Sequence, residues 1–150
     1  LGARCSIPQP NFVSSAFTHN SKIWADIGMA KILFIEDESA LQRAATQVLS
    51  EEGYEVLSAL DGEIGLRRAQ EDLPDLILLD LILPKKDGFE VLKELKSDER
   101  TQKIPVIILS NLEGSADVFR AMELGATTYL VKTNYRLEEV VEKVKGLLGK

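Results

Sequence analysis

The chain has 150 residues, 45% of them hydrophobic, and a formal net charge of −6 at pH 7. That length and apolar content suit one domain with a real core, while the acidic balance argues against nonspecific nucleic-acid binding, which needs Lys and Arg clustered against phosphates. No apolar run approaches membrane-spanning length, so no membrane insertion is expected; Cys5 is the one cysteine, which points to a reducing, cytoplasmic location without an internal disulfide.

Residues 1–28 are rich in Ser, Asn and Pro, lack a sustained period and lack the apolar core of a secretory signal. Met29 directly precedes "AKILFIEDE", where regular patterning begins. The expectation is a disordered or non-native leader at 1–28 and a folded domain at 29–150. Ile32 to Ile35 is an apolar run suited to a buried strand. Leu41, Ala44, Ala45, Val48 and Leu49 then share one helical face, with Ser39 placed to cap its start and Gly53 to close its end. Tyr54 to Ala59 predicts a second strand, and a short helix follows Asp61 and stops before Pro74. Leu76 to Leu79 is the third strand; Gly88 opens a helix carrying Phe89, Leu92 and Leu95 on one face. Val106 to Leu109 is the fourth strand, followed by a helix from Ser115 to Leu124 with Gly125 as its stop. Thr128 to Val131 is the fifth strand. The last helix carries Leu137, Val140, Val141, Val144 and Leu148, with Lys143 and Lys145 near its C-terminal end, where cations suit the helix dipole. Alternating apolar strands and amphipathic helices imply a parallel sheet covered on both faces.

One carboxylate interrupts the greasiest stretch, "LILLDLILPKKDG". Asp80 there must reach a surface or find cationic partners, because an unpaired buried carboxylate is costly. The other strand ends are polar as well: Glu36, Asp37 and Glu38 follow strand one, Ser110 and Asn111 follow strand four, and Lys132 and Thr133 follow strand five. In an open α/β sheet, ligands bind beyond the carboxyl ends of the strands where strand order reverses. If strands one and three are neighbours at that point, Glu36, Asp37 and Asp80 converge. Three clustered carboxylates call for a cation, and Mg²⁺ suits an oxygen-lined site completed by waters. Lys132 offers a second positive charge and Ser110 a hydroxyl donor. A carboxylate so placed can act as a nucleophile toward phosphorus.

On these residues the chain from about Lys31 to Lys150 resembles the receiver domain of bacterial two-component response regulators. "ILFIEDE" is similar to the family's first strand and acidic pair, here Glu36 and Asp37. "LILLDLILPKKDG" is similar to its phosphoacceptor segment, "VIILSN" places Ser110 at the switch hydroxyl, and "GATTYLVK" places Tyr129 at the switch aromatic and Lys132 at the characteristic lysine. The resemblance implies a doubly wound α/β fold, a five-stranded parallel sheet of flavodoxin-like order 2-1-3-4-5. It implies that Asp80 accepts a phosphoryl group from a sensor histidine kinase or phosphotransfer protein. Mg²⁺ is then held by Glu36, Asp37, Asp80 and the Ile82 backbone carbonyl, and Ser110 and Lys132 contact the phosphoryl oxygens. Ser110 and Tyr129 shift on phosphorylation and change the protein-binding surface of the fourth helix, fifth strand and fifth helix. Such a protein is a phosphoacceptor that assists its own phosphoryl transfer and hydrolysis rather than an enzyme. With Lys150 following the fifth helix, a stand-alone, CheY-like regulator that docks onto another protein is expected.

The sequence departs from the family pattern at three places. Thr133 stands where a Pro with a cis peptide usual follows the lysine, and a cis bond is not expected without Pro. Asn111 stands where a small residue is usual. Ile82, with Leu112, is expected to shield an acyl phosphate from water. Blander readings apply to single residues: Asp80 as a loop cap, Glu36 and Asp37 as a solvated strand end, Lys132 in a purely structural ion pair, Tyr129 as core, and Glu38, Lys85 and Lys86 as surface charge. Rival functions are a phosphorylation-independent module of the same fold and a phosphatase of the haloacid-dehalogenase type. The phosphatase needs D-x-D after strand one, where this chain reads "EDE". A flavin-binding variant of the layout would want a phosphate loop there, and the acids would repel it.

Overall fold

Alternate residues of each central strand face opposite ways, and in this chain both sets are apolar. The computed structural model describes residues 29–149, and the expected leader at 1–28 lies outside the described residues. In chain order the elements are β1 (Lys31–Ile35), α1 (Ser39–Glu51), β2 (Glu55–Ala59), α2 (Gly62–Asp72), β3 (Leu76–Leu79), α3 (Gly88–Ser97), β4 (Val106–Ser110), α4 (Ser115–Glu123), β5 (Thr128–Val131), a 3₁₀ turn (Lys132–Asn134) and α5 (Leu137–Leu148). The five strands form one parallel sheet in the order β2-β1-β3-β4-β5. This is the doubly wound, flavodoxin-like arrangement expected.

Two cores follow from the strand alternation. Ile32, Phe34, Leu76, Leu78, Ile107 and Leu109 pack against α1 and α5 through Ala45, Leu49, Val140, Val141 and Val144. Leu33, Ile35, Ile77, Leu79 and Ile108 pack against α2, α3 and α4, including Leu66, Ala69, Leu92, Leu95 and Ala121. Strands buried on both faces need continuous apolar sequence, and β1, β3 and β4 have it. Edge strand β2 reads EVLSA; Val56 and Leu57 are only partly covered and Ser58 is exposed.

Local signals set most boundaries. Asp61 Oδ1 accepts from the Ile64 amide at 2.8 Å and caps α2; Asp87 Oδ1 accepts from the Glu90 amide at 3.0 Å and caps α3. Gly53 closes α1 with a positive φ of +97°. The start of α1 corrects the sequence reading. Glu38, not Ser39, is the N-cap residue, and it makes no side-chain cap bond. Ser39 is already helical, and the turn before it is held by the Glu38 amide donating to Glu36 Oε2 at 3.1 Å. The buried face of α1 is also rotated: Ala44 is exposed, and Gln42 is buried beside Ala45 and Leu49. No helix among the described residues is long and apolar enough to cross a membrane.

Candidate functional site

The β1–β3 register builds the site. Ile35, the last residue of β1, lies opposite Leu79, the last residue of β3. The next residues, Glu36 and Asp80, therefore leave the sheet side by side. The Asp80 amide continues the ladder, donating to the Ile35 carbonyl at 3.1 Å. The chain runs from β1 outward to β2 and then crosses to β3 on the other side, so this mouth is where strand order reverses.

Glu36, Asp37 and Asp80 each bring a carboxylate oxygen within 4.8 Å of the others. Glu36 is 1% exposed and Asp80 is 4% exposed, while Asp37 stands at the surface. Lys132, just past β5, reaches both buried acids: its Nζ lies 2.6 Å from Glu36 Oε1 and 3.0 Å from Asp80 Oδ2. The contact with Asp80 is an aligned hydrogen bond. The shorter one with Glu36 is an ion pair off the hydrogen-bonding direction, and it leaves Oε1 without an aligned donor. Asp80 Oδ1 accepts from the Ile82 amide at 3.2 Å.

Burial pushes the Glu36 carboxyl above its ordinary range; Lys132 pulls it back, and the charge of Asp80 pushes it up again. Burial pulls the Lys132 ammonium down, but its two carboxylate partners outweigh burial and hold it above its ordinary value. Lys132 is thus firmly charged, and one ammonium faces three carboxylates. That excess of hard oxygen donors fits a divalent ion of the Mg²⁺ kind, which takes one or two carboxylates and keeps several waters.

Ser110 ends β4 fully buried. Its Oγ accepts from the Leu112 amide at 3.3 Å, so the hydroxyl is engaged with its own loop. Tyr129 on β5 donates its hydroxyl to the Leu112 carbonyl at 2.7 Å. Both residues singled out as switch positions therefore hold the backbone of one residue in the β4–α4 loop, a link invisible in sequence because it runs through main-chain atoms. Ile82 is 59% exposed, and Asn111 is exposed as well. Lys86 is not merely solvated, since it pairs with Glu94 on α3. The described residues contain no cis peptide, and Thr133 sits in the 3₁₀ turn after β5. Gly88 has a steric role: a Cβ there would collide with the Asp80 carbonyl and the Leu81 Cα. The helix start can approach the carboxylate-bearing segment only without a side chain.

A family model described as the response regulator receiver domain matches residues 32–145. The chain belongs to this family. The receiver domain is 43% identical over 103 residues to the response regulator PleD of Caulobacter vibrioides, covering 69% of this chain and 23% of PleD. Among solved structures it resembles the chemotaxis protein CheY4 of Vibrio cholerae, with a TM-score of 0.74 and 28% identity over 80% of this chain and 99% of that one. It also resembles the Mn²⁺-bound form of the response regulator Rcp1, with a TM-score of 0.68 and 35% identity over 79% of this chain and 91% of that one. The chain spans between 23% and 52% of the length of several curated relatives that it matches.

Proposed function

We propose that this receiver domain accepts a phosphoryl group on Asp80 from a phosphohistidine of a sensor histidine kinase or phosphotransfer protein in the cytoplasm. The observation that carries the reading is the position of Lys132, bound to Asp80 and Glu36 at the mouth where Asp37 completes an acidic cluster. Glu36, Asp37, Asp80 and the Ile82 carbonyl are the ligands this reading assigns to Mg²⁺. When bound, the ion supplies charge neutralisation on the phosphoryl oxygens.

An oxygen of Asp80 attacks phosphorus; the new O–P bond forms as the P–N bond breaks, and the electron pair returns to the imidazole of the donor. Lys132 already points its ammonium at Asp80 and stabilises the added negative charge. Ser110 turns from the Leu112 amide to a phosphoryl oxygen. Because Tyr129 is bonded to the same Leu112, that movement disturbs its anchor and biases the surface of α4, β5 and α5 toward another state. The domain is a phosphoacceptor that assists its own phosphorylation and hydrolysis, not a turnover enzyme.

Intact-mass analysis after incubation with a small acyl-phosphate donor, with and without Mg²⁺, tests this reading. A Mg²⁺-dependent single phosphate adduct is expected for the wild type and none for Asp80→Asn. A folded wild type that gains no adduct favours a phosphorylation-independent interaction module instead.

A further inference from the structure

The apolar face of α1 contains one amide. Gln42 is 4% exposed, yet its side chain is far from idle. Its Nε2 lies 2.9 Å from the Phe34 carbonyl oxygen, 3.0 Å from that of Ala59 and 3.1 Å from that of Glu36. These acceptors settle the orientation of the amide, because its own oxygen would repel all three. The Oε1 atom is buried without a hydrogen-bond partner among the described residues. Only the donor end of this side chain is used.

The three carbonyls belong to the place where β1 and β2 end and the acidic turn begins. The Glu36 carbonyl is part of the peptide unit joining Glu36 to Asp37. The Gln42 main-chain amide adds a bond to the Glu38 carbonyl at 3.0 Å. One residue therefore grips the acidic turn on both sides of Asp37. The carboxylate of Asp37 is exposed, so its place is set by the backbone that carries it. Leu or Met would fill the same core space and keep the main-chain bond to Glu38, but would leave the Glu36 carbonyl unheld.

We infer that Gln42 is a positioning residue for the divalent-cation site: its amide fixes the Glu36–Asp37 peptide and so sets those two carboxylates against Asp80. The inference rests on the metal-dependent reading of the site above. Residues behind metal ligands commonly change affinity by about 10–100-fold when replaced.

The test compares the wild type with Gln42→Met, with Gln42→Asn, whose amide is one methylene too short to reach the carbonyls, and with Leu49→Ala, a core change on the same helix. Mg²⁺ affinity is measured by calorimetry, thermal stability by circular dichroism, and amide exchange of Asp37 and Glu38 in metal-free protein. Gln42→Met is expected to bind Mg²⁺ about 10-fold more weakly and to exchange faster at those amides, while Leu49→Ala loses stability at unchanged Mg²⁺ affinity. Acyl-phosphate labelling of Gln42→Met should half-saturate at higher Mg²⁺ and reach the wild-type maximal rate. Gln42→Asn should show the same pattern and serves alone if Gln42→Met does not fold. Gln42 variants that lose stability like Leu49→Ala but keep Mg²⁺ affinity within about twofold of wild type overturn this inference only. A wild type that binds no Mg²⁺ overturns the metal-site reading, and this inference with it.

Discussion

Lys132 shares one positive charge between two carboxylates that water scarcely reaches. Removing it leaves Glu36 and Asp80 facing each other without a cation. Breaking a fully buried pair costs about 3–5 kcal/mol, but the Lys132 side chain keeps 15% of its exposure, so Lys132→Ala is expected to cost about 2 kcal/mol at neutral pH without divalent cations. Urea unfolding measures this. The raised folded-state value of Glu36 sets the pH dependence. Its contribution to stability is complete below its ordinary range and is lost as pH rises through the raised value. The deficit of Lys132→Ala should therefore shrink as pH falls and Glu36 takes up a proton. Equal deficits at neutral and mildly acid pH would contradict this. On the alkaline side the Lys132 contribution has its own window: its value is also raised, so the stability it lends persists above neutral pH and is lost as pH rises through that raised value. Beside Asp80, Ile82 presents an exposed apolar side chain. Ile82→Asn offers water a hydrogen-bonding group at that mouth, and the phosphate adduct should decay several-fold faster. Time-resolved intact mass checks it, and an unchanged lifetime would remove the shielding role.

Among the elements, the loop from β3 to α3 carries the tightest constraint on the site. The Gly88 amide donates to the Leu81 carbonyl at 2.9 Å, and its α-carbon lies against the Asp80–Leu81 backbone. Gly88→Ala should shift that backbone, cost about 1–3 kcal/mol as overpacking does, and depress the yield of the Asp80 adduct. A variant as stable and as readily labelled as wild type would show that the loop has slack. The helix starts show how far local sequence reaches. Asp61 was legible as a helix-start residue because an Asx side chain bonds the amide a few residues on; Asp87 caps α3 in the same way, although Gly88 was the residue expected to open that helix. Ser39 has the right chemistry and the wrong place, because the acidic turn before it sets where α1 begins. Gln42 was missed for a related reason: its partners on β1 and β2 come together only after the strands pair.

At the largest scale, residues 29–149 form a sheet with two cores and a charged mouth at the strand ends. Mg²⁺ binding to the folded state alone stabilises it by mass action, so the melting temperature should rise with Mg²⁺. Asp37→Asn should abolish most of that rise with little change in metal-free stability, since Asp37 is exposed. A rise that survives Asp37→Asn would place the ion elsewhere. The amino-acid sequence by itself determined the strand and helix order, the two-faced burial of β1, β3 and β4, and the presence of an acid, a serine and a lysine at the strand ends. These depend on local periodicity and strand-end position, which short-range patterns carry. Only the tertiary structure decided that Lys132 is shared by Glu36 and Asp80, that Ser110 and Tyr129 meet on the Leu112 backbone, and that Gln42 grips the acidic turn. Each of these joins groups from different elements, several through main-chain atoms common to every residue type, so strand register and packing, rather than side-chain identity alone, bring them within bonding distance.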